Sequence, residues 1–230
     1  MIAYVFSCLN KNGGFSPAPN HYPTIIYTLS AIQVLVILKA VDQLEEKKQN
    51  VIDFVKSLQN SDGSFVGSPD DDKEETDTRF SFCAIATLKL LNALDEIDTS
   101  KTVDHIKACQ NFDGAFGVRV GSESHAGQVF CCVGTLALLE KLEIIDLELL
   151  GWWLADRQVN GGGLDRILTC LASMWRTKWK TDEKGGRLLF MVGIIKSGYD
   201  KKISLDRPSK TRGIYSICCG KKLLTYLELF

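Results

Sequence analysis

CQNFDGAF, residues 109–116, is the stretch that decides the fold, because the chain repeats its pattern three more times. CLNKNGGF (8–15), LQNSDGSF (58–65) and RQVNGGGL (157–164) align with it without gaps, at offsets of 50, 51 and 48 residues. A fixed period of this length marks stacked copies of one supersecondary unit. After each of the first three turns come a polar loop and an apolar run, IIYTLSAIQVLVILKAV (25–41), TRFSFCAIATLKLLNAL (78–94) and HAGQVFCCVGTLALLEKL (125–142). Before the turns, KKQNVIDFVKSLQ (47–59) and SKTVDHIKACQ (100–110) space Val, Phe and Ile three and four residues apart, the period of an amphipathic helix. Each unit is therefore expected to be a helical hairpin. Gly13, Gly63, Gly114 and Gly162 supply the positive φ at which the chain reverses.

Paired helices with a period near 50 residues and no strand signal give an all-α architecture, either an open solenoid or a closed α/α toroid. The second helices of the first three units suit an inner ring. They are the more apolar set and carry small residues: Ser30 and Ala31, Ala84 and Ala86, Ala126, Gly127 and Gly134.

Composition narrows the function classes. With 45% hydrophobic and 24% charged residues over 230 positions, the chain can bury a large core. Twenty-seven Lys+Arg against 28 Asp+Glu leave a net charge of −1, so no basic field exists for nucleic acid or anionic lipid, and any anion site must be local. The eight cysteines (8, 83, 109, 131, 132, 170, 218, 219) lie mostly in apolar helical contexts without C-x-x-C spacing. That pattern fits reduced, buried thiols and a cytoplasmic location. Residues 1–7 lack the basic region of a signal peptide. The run 24–41 is interrupted by Thr28, Ser30, Gln33 and Lys39, so it reads as a buried helix, and no transmembrane segment is expected.

Polar residues recur where the inner helices begin, Asp77-Thr78-Arg79 in one unit and Glu123-Ser124-His125 in a later one. A helix N-terminus presents unpaired N–H groups and positive potential, so Arg79 and His125 there would make an anion site. Taken singly, Arg79 reads as the partner of Asp77 or Glu75. His125 is balanced between an anion ligand and a helix-start residue bonded to Glu123. Together with Phe82, Phe130 and Cys131 one turn deeper, the set describes a greasy pocket with a cationic mouth, which suits an isoprenoid diphosphate.

YTLSAIQ (27–33), ETDTRFSFCAIATL (75–88), NFDGAFGVRVGSESHAGQVFCC (111–132) and LLGWWLADRQ (149–158) together resemble the β subunits of Rab geranylgeranyltransferases, the type II protein prenyltransferases. The resemblance covers residues 1–164 and implies an α/α toroid paired with a helical-repeat α subunit. It implies transfer of geranylgeranyl from its diphosphate to C-terminal cysteines of Rab proteins presented by an escort protein. Position by position, His125 looks like the family's diphosphate-binding histidine and Arg79 like its pocket arginine, while Phe82, Phe130 and Cys131 resemble lipid-tunnel residues. The resemblance also implies a zinc ion held by one Asp, one Cys and one His, none of which is identifiable in this chain.

Past Leu164 the sequence changes character. Read one nucleotide later, residues 176–193 permit the family's segment with its Asp and Cys zinc ligands; in that frame Trp179-Lys180 must yield Gly, and Met191-Val192 must yield Trp. The tail 165–230 is accordingly expected to be out of frame, and the start to lack a preceding inner helix, so the toroid would be incomplete. Asp165, Cys170, Asp182, Cys218 and Cys219 could bind metal chemically but match no family spacing. The chain as written is expected to be inactive. Two other readings remain: a non-catalytic helical-repeat binding module, and a toroid terpene cyclase whose acid would have to come from the polar loop at Asp70-Asp71-Asp72.

Overall fold

The computed structural model describes residues 1–157. The fourth turn, with Gly162, and the tail 165–230 lie outside them. Among the described residues seven α-helices run in order: α1 Ile2–Ser7, α2 Ile25–Ile37, α3 Glu45–Ser57, α4 Thr78–Leu90, α5 Thr99–Ala108, α6 Ala126–Leu138 and α7 Leu147–Asp156. Short 3₁₀ turns at Val41–Leu44, Leu94–Glu96 and Leu142–Ile144 lead from each inner helix to the next outer one. Among the described residues extended pairing is limited to isolated bridges at the turns, Leu9–Phe15, Gln59–Phe65 and Gln110–Phe116. None of these helices is long and apolar enough to cross a membrane.

The three turns are the same object built three times. The N–H of Asn10, Asn60 and Asn111 donates to the carbonyl of Gly14, Ser64 and Ala115 at 2.9, 2.9 and 2.8 Å. The side chains of Asn12, Asp62 and Asp113 accept from the N–H two residues on, at 3.2, 3.0 and 3.0 Å, which is an Asx turn. Gly13, Gly63 and Gly114 take φ of 92°, 86° and 84°, as expected. The structure adds a second requirement that the sequence did not display. A Cβ on Gly13 or Gly63 would collide with the backbone carbonyl of Asn50 or Lys101, and one on Gly114 would lie 2.7 Å from Leu149 Cγ. Each turn therefore presses on the outer helix of the following unit. Phe15, Phe65 and Phe116 fold back beneath the turns and are wholly buried.

The inner helices stop earlier than their apolar runs. Helix was expected to Val41, Leu94 and Leu142, yet α2, α4 and α6 end at Ile37, Leu90 and Leu138. Lys39, Asn92 and Glu140 take left-handed φ of 52°, 52° and 58°. The next N–H, of Ala40, Ala93 or Lys141, reaches back to Leu35, Leu88 or Leu136 at 2.8, 2.9 and 2.8 Å. This is the Schellman stop, which satisfies the last carbonyls and turns the chain outward. Hydrophobic periodicity cannot show it, because the residues after the stop are also buried: Ala40 and Leu44, Leu91 and Ala93, Leu142 and Ile145.

The inner helices pack side by side, with α4 between α2 and α6. Loops stitch them to the following unit: Ile25 N–H donates to Gly67 O at 2.9 Å and Thr78 N–H to Val118 O at 3.0 Å. The outer helices bury one face only. In α3, Val51, Ile52, Phe54 and Val55 turn inward, while Asn50, Asp53 and Lys56 meet solvent. The architecture is that of an α/α toroid. The described cysteines, Cys8, Cys83, Cys109, Cys131 and Cys132, are all buried free thiols.

Candidate functional site

Thr24, Asp77 and His125 are the N-caps of α2, α4 and α6, so the inner helices can be aligned from these caps. In that alignment Ile26, Arg79 and Gly127 are equivalent, as are Leu29, Phe82 and Phe130, Ser30, Cys83 and Cys131, and Gln33, Ala86 and Gly134. The candidate residues thus occupy one stripe of the inner layer, in successive turns below the helix starts.

His125 adopts extended backbone, φ −136° and ψ 129°, and its Nδ1 accepts from the Gly127 N–H at 2.9 Å. The sequence reading offered Glu123 as its bonded neighbour; the structure gives it the Gly127 backbone instead. Nδ1 is consumed by the cap, so the ring's proton sits on Nε2, which remains a donor. Partial burial, and next the positive charge of Arg79, push the His125 pKa down, against the raising influence of Asp77 and Glu123. The imidazole is therefore neutral at pH 7.

Arg79 is paired as the sequence suggested, with Asp77 rather than Glu75. Its Nε and Nη2 donate to Asp77 Oδ2 at 2.8 and 2.5 Å, and Asp77 Oδ1 caps α4 by accepting from the Arg79 N–H at 2.8 Å. One carboxylate, 8% exposed, fixes both the helix start and the guanidinium. The Arg79 side chain remains 56% exposed, leaving the cation open to a ligand. Its positive charge acts to lower the pKa of Cys83, Cys131 and His125.

Below the mouth the stripe is apolar. Phe82 and Phe130 meet edge to face, ring centres 5.6 Å apart at 63°. Burial pushes the Cys83 and Cys131 thiols up to about 12, so both act as neutral, apolar lining. Thr78, named in the sequence only as part of a polar helix start, ties the rim: its Oγ1 donates to Gln128 Oε1 at 2.7 Å and contacts Gly117 O at 3.3 Å, bridging the starts of α4 and α6. Nothing in its residue type signals this, because the bond joins residues fifty positions apart. A polar recess of about 490 Å³ lined by Gln59, Asn60, Asp62, Lys73 and Glu74 shares no residue with this stripe.

Zinc does not fit the described residues. Asp77 is committed to Arg79, and His125 Nδ1 to the α6 cap. No group of three His, Cys, Asp or Glu among the described residues could hold a metal ion.

Comparison with known proteins agrees with this architecture. Residues 1–166 match the prenyltransferase alpha-alpha toroid domain. The geranylgeranyl transferase type-2 subunit beta of Saccharomyces cerevisiae is 36% identical over 239 residues, covering 96% of this chain and 71% of the relative. The Candida albicans protein of the same name is 42% identical over 177 residues, covering 71% of this chain and 51% of the relative. Among solved structures, Candida albicans protein geranylgeranyltransferase-I complexed with GGPP superposes with a TM-score of 0.58 at 22% identity, covering 79% of this chain and 54% of that one. The chain thus spans about half the length of the Candida proteins it matches. On the repeat, the fold and these relationships together, the chain belongs to the prenyltransferase α/α toroid family.

Proposed function

We propose that the chain is the β subunit of a geranylgeranyl transferase of the type-2 class, whose reaction moves a geranylgeranyl group from its diphosphate to C-terminal cysteines of Rab proteins, and that the chain as written supplies the lipid-diphosphate side of that site. Its partners would be an α subunit and an escort-bound Rab, and its location cytoplasmic. The observation that carries the reading is the pairing of two donors, His125 Nε2–H and the Asp77-held Arg79 guanidinium, at the rim of a stripe lined by Phe82, Phe130 and Cys131.

The residues divide the work by chemistry. As the bond between C1 and the diphosphate oxygen breaks, negative charge accumulates on the leaving oxygens. Donors already fixed in place stabilise that charge without reorganising. Arg79 supplies the full positive charge, and the neutral His125 a directed N–H. The aromatic pair and the neutral thiols give the hydrocarbon a dry surface, where each buried methylene contributes about 0.8 kcal/mol.

Titration of the full chain with a fluorescent geranylgeranyl diphosphate, competed by inorganic pyrophosphate, tests the reading. Saturable binding is expected, weakened by Arg79→Met and by His125→Asn. An assay of labelled transfer to a Rab–escort complex, with an α subunit supplied, then separates the enzyme from a non-catalytic binding module, which would bind the lipid without turnover. Absence of saturable binding, or indifference to both substitutions, overturns the site.

A further inference from the structure

Gly134 sits in the middle of α6, where glycine costs about 0.5–1 kcal/mol relative to alanine. Its helix therefore carries a cost that some contact must explain. A Cβ built on Gly134 would lie 2.8 Å from Cε2 and 3.1 Å from Cδ2 of Phe82. The Phe82 ring thus rests directly on the backbone of α6. Gly151, inside α7, shows the contrast, because a Cβ there would meet nothing within 4 Å.

The alignment of the inner helices explains why the ring is there. Leu29 and Ala86 occupy the positions that Phe82 and Gly134 occupy one unit later. A larger side chain on the earlier helix coincides with a smaller one on the next, which keeps the volume between the helices filled. Phe82 is half-buried and meets Phe130 on the same side. Gly134 lies nine residues beyond the His125 cap, roughly 13 Å down the helix at 1.5 Å per residue.

We propose that Gly134 sets the isoprenoid length this chain accepts, by giving the Phe82 ring a seat on α6 that keeps it out of the lipid's path. A methyl at position 134 would lift the ring off α6. In the cores of α4 and α6, Ile85, Leu88, Val133 and Leu136 are buried, so the ring yields toward the partly buried stripe instead. The hydrocarbon would then meet the ring two helical turns below the rim, and the distal isoprene units would lose their place first. Gly134 is a positioning residue here, acting through Phe82. The inference rests on the isoprenoid-diphosphate reading of the site.

The test measures Kd of the full chain for geranylgeranyl diphosphate, farnesyl diphosphate and inorganic pyrophosphate. Gly134→Ala should weaken geranylgeranyl diphosphate about tenfold, the scale of a single poorly accommodated apolar group. Farnesyl diphosphate should change by less than about twofold, and pyrophosphate not at all. Adding Phe82→Leu to Gly134→Ala should restore the longer lipid, since the shorter side chain clears both the methyl and the path. Equal loss on both lipids, an unchanged ratio, or failure of Phe82→Leu to restore it overturns the proposal while leaving the site intact. A wild-type chain that binds neither lipid overturns the proposed function and this inference together.

Discussion

Replacing Gly63 by alanine separates two reasons for a turn glycine. At φ 86° an L residue is strained by about 1–2 kcal/mol. The new Cβ would also strike the backbone carbonyl of Lys101, in the next unit's outer helix, so α5 must move or the turn must open. Forcing such an overpacked contact costs a further ~1–3 kcal/mol. The sum, about 2–5 kcal/mol, is a large share of the ~5–15 kcal/mol that holds a typical domain folded. For a chain of this size it corresponds to a fall in Tm on the order of 10 °C. Two internal controls sharpen the measurement. Gly121 has φ 77° but nothing within 4 Å of its Cβ position, so Gly121→Ala carries only the strain of about 1–2 kcal/mol. Gly151→Ala, in open space on a helix, should stabilise by about 0.5–1 kcal/mol. Urea unfolding of the three variants of the full chain ranks them. If Gly63→Ala costs no more than Gly121→Ala, the turns do not lock one unit to the next, and the packing argument fails.

The caps and buried titratable groups give further expectations. His125→Ala should lose about 1 kcal/mol of stability with its cap and about 1.5–3 kcal/mol of diphosphate affinity, whereas His125→Asn keeps the cap and loses only the affinity; equal destabilisation in urea by both would refute the cap. Burial, opposed by Asp62, holds the His105 pKa below its ordinary 6.5. The unfolded chain therefore binds this proton first, and stability, full above pH 6.5, should fall as pH drops from 6.5 toward the lowered value. Urea midpoints between pH 8 and 5 should show that slope, and His105→Gln should flatten it; an unchanged slope would rule His105 out as its source. Trp153 Nε1–H donates to Asp113 Oδ2 at 2.7 Å. Burial raises the Asp113 pKa, but bonds from Ser124, Ala115 and Trp153 outweigh it, so the carboxyl titrates below its ordinary 3.8. Trp153→Phe should cost about 1.5–3 kcal/mol at neutral pH, the difference from wild type shrinking as pH falls through the lowered value. A difference in unfolding free energy that stays constant down to pH 2 would show that the bond to the carboxylate is not its cause.

Much of the candidate site was readable because repetition supplied its own ruler. His125 and Arg79 stand out only when the units are laid over one another and both are found at helix starts. Their partners followed different logic. Asp77 was legible as Arg79's partner because it lies two residues away and local spacing limits the choice. The Gly127 N–H was not legible as the partner of His125, because an imidazole can cap a helix or bond a carboxylate, and the choice depends on a rotamer. The inner-helix stops at Lys39 and Glu140 were hidden for another reason: lysine and glutamate carry no left-handed preference, and the apolar pattern continues past the break; only at Asn92 did the residue type offer a signal.

Sequence by itself determined the period, the hairpin unit, the positive φ of its turn glycines and the division into apolar inner and amphipathic outer helices. These follow from short-range physics: hydrophobic spacing, helix capping and the steric freedom of glycine, all set within one unit. Tertiary structure alone decided what joins the units. Gly63 against Lys101, Thr78 to Gln128, and Phe82 seated on Gly134 each connect residues about 40 to 50 positions apart. Such contacts depend on the angle at which one hairpin packs on the next. Many side-chain volumes fix that angle jointly, and no local pattern encodes it.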